Sequence, residues 1–321
     1  MSLFRDSVEF APTLDAAAER LGISATAVEK DYWVSEVLRV LARDYADDFI
    51  FKGGTSLSKA YRIVERFSED IDVLVVAGDR GRGTTDKLMK AMGAAAAAGV
   101  GGEALSVGGS ETGRHRSYSV TYPATREPTA LIQTSVLLEM GVRGGHNPHE
   151  PVAVGSLLGD VLAGAGTDLR EFADLDPFEV DVLHPGRTLL EKLVHIQALG
   201  QQLVADRARR PDHRSGRHFY DVFQLLGDSR VLDFLSDRLE FGRVMASIEE
   251  IDRTYFGHGE AAGLRPEGGF ASSPAFDLVS DVSRRLRVAY EATVPELYFG
   301  ASSPPTWEDI CRVVSDRREL L

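Results

Sequence analysis

The sequence predicts an α+β protein in two lobes, a mixed-sheet lobe with N-terminal helices over residues 1–183 and a helical lobe over 184–321. Three observations carry this. The stretch "DFIFKGGTSLSKAYRIVERFSEDIDVLVV" reads as strand, Gly-Gly turn, helix and strand in succession. "HRSYSVTYP" and "ALIQTSVLLEM" are β-rich segments joined by the short link "ATREPT", as in an antiparallel hairpin. From Gly186 onward the apolar residues recur at helical spacing. A chain of 321 residues is long enough for two such lobes, each with its own core.

Taken in order, "TLDAAAERLG" and "SATAVEKDYWVSEVLRVLARDYA" predict two helices. Val28, Tyr32, Val37, Leu38 and Leu41 line the second, and Ser24 or Thr26 caps it. "DFIFKGG" is a short buried strand entering a tight turn, "TSLSKAYRIVERF" an amphipathic helix and "DIDVLVV" a second strand. Residues 77–113, rich in Gly and Ala, predict a helix over 84–98 that runs into a mobile glycine loop. After the hairpin, 141–177 reads as loops with one short helix near "VGSLLGDVL", and "FEVDVLHP" as the last strand of the first lobe. Helices then follow at "RTLLEKLVHIQALGQQLV", "RHFYDVFQLL", "DSRVLDFLSDRLEFGRVMASIEEIDRTYF", "PAFDLVSDVSRRLRVAYEATVP" and "TWEDICRVVSDRREL", with a loop over 257–274.

Composition narrows the function. No apolar run approaches the roughly 20 residues of a membrane span, and the start lacks a signal-peptide pattern, so a cytoplasmic protein without a membrane partner is expected. Cys311 is the one cysteine, which excludes an internal disulfide and a cysteine zinc cage. A net charge of −13 argues against indiscriminate nucleic-acid binding and confines any such site to a local patch. "DRARRPDHRSGRH", with Arg207, Arg209, Arg210, Arg214 and Arg217, is the candidate patch; a solvated loop is its plain alternative.

The chemistry concentrates at residues 51–76. Asp70 and Asp72, one residue apart in an apolar strand, share a face of the sheet. Like charges so close repel unless a cation lies between them, and paired carboxylates suit Mg²⁺ together with substrate phosphates. The Gly53-Gly54 turn lets backbone N–H groups approach an anion, and the helix start at Thr55-Ser56 favours negative charge. A phosphate cradle beside a carboxylate metal site describes an enzyme that handles nucleoside triphosphates.

"FKGGTSLSKAYRIVERFSEDIDVLVV" resembles the signature of the nucleotidyltransferase superfamily with the DNA polymerase β fold, and more closely that of the AbiEii/AbiGii toxin family, which includes the MenT toxins of bacterial toxin–antitoxin and phage-defence systems. "EKDYWV", "HPGRTLLEKLVHIQAL", "RHFYDVFQLL" and, more weakly, "PPTWEDI" continue the resemblance in order. It implies a polymerase β-like first lobe and a helical second lobe carrying Lys192 and Asp221. It also implies that Asp70 and Asp72 hold Mg²⁺, two ions in all, and orient the NTP. Gly53, Gly54, Thr55 and Ser56 contact its phosphates, and Lys192 pairs with the β- and γ-phosphates. Asp221 belongs to the same site or to a buried salt bridge; in an apolar helix segment it requires a partner, namely Lys192, an arginine or the nucleotide. The superfamily's third carboxylate falls on Glu139, which is otherwise an exposed strand end.

The implied reaction is in-line transfer of a nucleotide to the 3′ end of tRNA, blocking translation, with a separate antitoxin protein as partner and no demand for more than a monomer. Transfer to a protein side chain, or a non-catalytic nucleotide-binding module, are the alternatives; the last would lack a metal ligand, and here both aspartates and the lysine are present. Ser68, two residues before Asp70, is a candidate for inhibition by phosphorylation. Lys30 and Asp31 read as support, while Lys52 and Arg66 contact phosphate or neutralise nearby acids. His146 and His149 lack a third ligand for zinc, and neither "GVGG" nor "GGSETG" has the strand–helix context of a dinucleotide motif.

Overall fold

The computed structural model describes residues 2–68, 70–129, 132–206, 209–256, 263–300 and 302–321. The chain divides into two compact units, one of Met1–Tyr61 and Ser68–Leu183, the other of Arg62–Phe67 and His184–Leu321. The segment Arg62–Phe67, expected in the first lobe, thus groups with the second.

The first unit is a seven-stranded mixed sheet with helices on one face. In chain order its elements are α1 (Phe10–Leu21), α2 (Ala25–Asp44), β1 (Phe49–Lys52), α3 (Gly53–Lys59), β2 (Asp70–Val75), α4 (Arg82–Val100), β3 (Ala104–Glu111), β4 (His115–Thr121), β5 (Ser135–Gly141), β6 (His149–Val154), α5 (Leu157–Gly164) and β7 (Phe178–Leu183). The sheet order is β3-β4-β5-β2-β1-β7-β6. β2 runs antiparallel to β1 and parallel to β5, so the strand with the two aspartates lies at the centre.

Period-two alternation decides what each face does. Phe49, Phe51, Ile71, Val73, Val75, Leu138, Met140 and Val120 are buried on one face. That face takes α2 and α4, as shown by Trp33 stacked on Tyr122 and by Gly93 of α4, where a Cβ would come within 2.8 Å of the Tyr118 ring. Ser24 caps α2 by accepting from Ala27 N, and Gly22, at φ 68°, closes α1. The other face carries the half-buried Lys52, Asp70, Asp72 and Glu139.

Three local expectations change. The helix of "TSLSKAYRIVERF" stops at Lys59; Arg62 is left-handed at φ 55°, and Arg66 forms an antiparallel bridge with Tyr298 in the second unit's own fold. The glycine loop is strand β3, made irregular by a register shift between Val107 and Glu111. β6, which contains Pro151, is a strand within the stretch read as loops; it lies at the sheet edge, where a missing N–H is tolerated.

The second unit is helical: α6 (Pro185–Ala205), α7 (Gly216–Leu225), α8 (Ser229–Ser236), α9 (Arg238–Tyr255), α10 (Asp281–Leu297) and α11 (Trp307–Asp316). α6 opens with Pro185 behind a His184 cap that accepts from Gly186 N, and α11 opens with a Thr306/Asp309 capping box. Leu189, Leu190, Leu193, Ile196, Phe219, Val222 and Leu225 are fully buried at its centre. The loop expected at 257–274 lies partly outside the described residues. Among those described, no helix is long and apolar enough to cross a membrane.

Candidate active site

The site of the first unit is written in strand register. Lys52 of β1 pairs with Asp72 of β2, Asp72 with Glu139 of β5, and Glu139 with Ser117 of β4. Directly opposed residues share a face, so Lys52, Asp72, Glu139 and Ser117 form one polar row across four strands, with Asp70 two residues along β2. The fold therefore brings together Asp70, Asp72 and Glu139. Beside them, Ile50, Leu74 and Leu183 are a small apolar cluster that packs with Val76.

Gly53 is fixed by the same geometry. Its φ is 82°, and a Cβ there would come within 2.9 Å of Asp72 Cβ and Cγ and closer still to its carboxylate oxygen. The turn therefore requires glycine twice over, for backbone conformation and for the approach of Asp72. Gly54 is in the first turn of α3, where the leading N–H groups have no intrahelical acceptor.

Thr55 and Ser56 are buried and use their hydroxyls inward. Thr55 Oγ1 donates to the carbonyl oxygen of Asp70 and lies 2.7 Å from Ser68 Oγ; Ser56 Oγ donates to Gly53 O at 2.9 Å. Thr55 ties the turn to β2 and Ser56 closes back on the turn itself, so any phosphate contact at these positions belongs to backbone N–H groups. Ser68 is half-buried at the same joint.

Burial first, then the charges of Asp72 and Asp70, push the Glu139 carboxyl above the usual glutamate range. Among the described residues no three His, Cys, Asp or Glu side chains already enclose a point that would hold a metal. The donor set nonetheless fits Mg²⁺, which takes one or two carboxylates and completes its shell with waters and substrate phosphates. The mutual repulsion at Glu139 is what a cation would relieve.

In the second unit, Asp221 is fully buried and fully paired. Arg66 grips it with Nε at 2.6 Å from Oδ1 and a terminal nitrogen at 2.8 Å from Oδ2, and Lys192 Nζ lies 2.8 Å from Oδ2. Burial alone would raise the Asp221 pKa, but Arg66 and then Lys192 hold it well below the carboxylate range. Burial lowers the pKa of Lys192, and Asp221 opposes that shift. Arg66, one of the two cations read as flanking the cradle, is 2% exposed and serves Asp221. Of the arginine run, Arg209, Arg210 and Arg214 are exposed and Arg217 is half-buried; Arg207 lies outside the described residues.

Lys30 and Asp31, which the sequence reads as support, and their neighbour Glu29 have partners that spacing does not reveal. Glu29 accepts from Thr125 N, Thr125 Oγ1 and Arg126 N; Lys30 Nζ donates to Gln133 O and Ser135 O; Asp31 pairs with Lys59 at 2.5 Å and accepts from Leu157 N. Together they tie α2 to the approaches of β5, to α3 and to α5. Ser117 and His115 were also missed, although "HRSYSVT" shows polar residues at alternate positions, the mark of a polar strand face.

The family described as "Nucleotidyl transferase AbiEii toxin, Type IV TA system" matches residues 39–311. No curated protein sequence matches the chain. Among solved structures, the chain is similar to MenT4, a nucleotidyltransferase toxin from Mycobacterium tuberculosis H37Rv, at 18% identity over 96% of each chain with a TM-score of 0.47. The family match runs from α2 to α11 and includes Gly53, Asp70, Asp72, Glu139, Lys192 and Asp221, so the chain belongs to the AbiEii family of nucleotidyltransferase toxins of type IV toxin–antitoxin systems.

Proposed function

We propose that this nucleotidyltransferase moves a nucleotide from an NTP to the 3′ end of tRNA and so blocks translation, with Mg²⁺ held by Asp70, Asp72 and Glu139. The observation that carries the reading is the register placing these carboxylates on one sheet face, with Gly53 set against Asp72. A hydroxyl of the acceptor attacks the α-phosphorus, the bond to pyrophosphate breaks, and the hydroxyl proton leaves with the help of Glu139. When bound, two Mg²⁺ ions would polarise the attacking and leaving oxygens. The chain's own part is to hold Asp72 through the Gly53 contact, to present the first N–H groups of α3 to phosphate, and to supply Lys192 as a cation for the triphosphate.

An RNA acceptor is supported by the exposed Arg209, Arg210 and Arg214, which give an otherwise acidic protein a local basic patch. The net charge of −13 favours the second reading, in which a protein side chain is the acceptor. In either case the protein acts in the cytoplasm as a monomer, with a cognate antitoxin as its partner.

The deciding experiment incubates the purified chain with total tRNA, Mg²⁺ and each α-labelled NTP in turn, beside Asp72→Ala. Label on tRNA only with the intact aspartate supports the reading and identifies the nucleotide. Label on a cellular protein instead moves the assignment to the second reading.

A further inference from the structure

The polar row does not end at Glu139. It continues onto β4, where Ser117 is paired with Glu139 and His115, two residues earlier, shares its face. Ser117 Oγ lies 2.9 Å from His115 Nε2 and 3.5 Å from Glu139 Oε1. Ser117 is 3% exposed, so its hydroxyl needs protein partners, and these two groups supply them.

The direction of the hydrogen bonds follows from the acceptor at one end. Ser117 donates its single hydroxyl proton to Glu139 Oε1. The serine oxygen must then be met by a donor, and that donor is Nε2–H of His115. Without the pair, repulsion from Asp72 and Asp70 favours a rotamer that turns Glu139 away from them.

We propose that His115 and Ser117 are positioning residues for Glu139: the imidazole aims the serine hydroxyl, and the hydroxyl holds the carboxylate in one orientation beside Asp72. The inference rests on the nucleotidyl-transfer reading and adds to it how the third carboxylate is kept in place. Neither residue touches substrate; both act through Glu139, as outer partners of metal-holding groups commonly do.

The test compares the full chain with Ser117→Ala, Ser117→Thr, His115→Leu, His115→Gln and the double Ser117→Ala/His115→Leu. Two quantities are read: kcat and KM for NTP with Mg²⁺, and the affinity for Mn²⁺ alone by titration calorimetry without nucleotide. Ser117→Ala and His115→Leu are expected to lower kcat and weaken Mn²⁺ binding roughly 10- to 100-fold, the range seen when such outer partners are removed, with little change in KM. The double variant should be no worse than either single one, because both act through one carboxylate. Threonine and glutamine, which keep the hydroxyl and an N–H donor, should recover most of the loss.

Wild-type kcat and Mn²⁺ affinity in folded Ser117→Ala or in His115→Leu would overturn the proposal, as would single losses that multiply in the double. Should Ser117→Ala not fold, the half-buried His115 position carries the same test. A wild-type chain that transfers no nucleotide would remove the transfer reading separately, and the Mn²⁺ titrations alone would then decide the role of the pair.

Discussion

Asp72 stands directly opposite Glu139 in the parallel β2/β5 pair, so that its charge bears on the Glu139 carboxyl. Because burial, Asp72 and Asp70 raise the Glu139 pKa, the folded chain holds that proton more tightly than the unfolded chain does. Its stabilising effect is full below the ordinary glutamate range and is lost as pH rises through the raised value. Glu139→Gln stays neutral throughout. Without metal, it should melt higher than wild type at neutral and alkaline pH, and the difference should shrink on acidification. Nucleotidyl transfer should fall by about 100-fold or more, the scale of losing a positioned base. Melting curves in chelator across pH, read beside turnover, check both; a variant less stable than wild type at alkaline pH would refute the electrostatic account.

Gly53→Ala tests the turn. Alanine at φ 82° carries left-handed strain of about 1–2 kcal/mol, and its methyl group meets Asp72. Gly78 is the control, since it is also left-handed, at φ 52°, but nothing lies within 4 Å of an added Cβ. Gly78→Ala should lose similar stability and keep its activity. Gly53→Ala should also lose turnover by about 100-fold, as a small misplacement of a reacting group does. Equal turnover in the two variants would mean that the Gly53–Asp72 contact does not matter for the chemistry.

The same two glycines show what was legible in the sequence. The Gly-Gly turn and the alternate aspartates announce themselves because each is a local demand: a backbone angle, and two charges in an apolar strand. Glu139 was legible as an acid at the end of a β-rich run. The end of α3 was not, since "AYRIVERF" keeps helical spacing while Arg66 is drawn to Asp221, 155 residues away. Strands β3 and β6 were hidden by Gly108, Gly109 and Pro151, residues that edge strands tolerate. The partners of Glu29, at Thr125 and Arg126, follow from folding and not from spacing.

Ser68 lies 2.7 Å from Thr55 Oγ1 and two residues from Asp70. A phosphoryl group there adds roughly two negative charges at neutral pH, next to the carboxylate cluster that the proposed function assigns to an anionic nucleotide. Ser68→Glu, with a single charge, should raise KM for NTP; one like charge near contact costs about 1 to 4 kcal/mol between water and surface screening. Ser68→Ala should not, because Thr55 still donates to Asp70 O. Unchanged NTP kinetics in Ser68→Glu would sink the idea that this serine is a point of inhibition.

Asp221 separates a structural role from a nucleotide role in the second unit. Its carboxylate neutralises one of two buried cations, and its depressed pKa means that the stabilisation is present above the ordinary aspartate range and lost as pH falls through the lowered value. Asp221→Asn leaves Arg66 and Lys192 short of a counter-charge and should cost about 3–5 kcal/mol, the usual penalty for breaking a buried ion pair from one side. Lys192→Met is different, because Asp221 keeps both hydrogen bonds from Arg66. Its urea midpoint should fall less than that of Arg66→Met. If Lys192 also serves the triphosphate, its turnover should fall far more than its stability does. A Lys192→Met chain that transfers nucleotide at the wild-type rate would confine this lysine to the ion cluster, where a small loss of stability would be its whole effect.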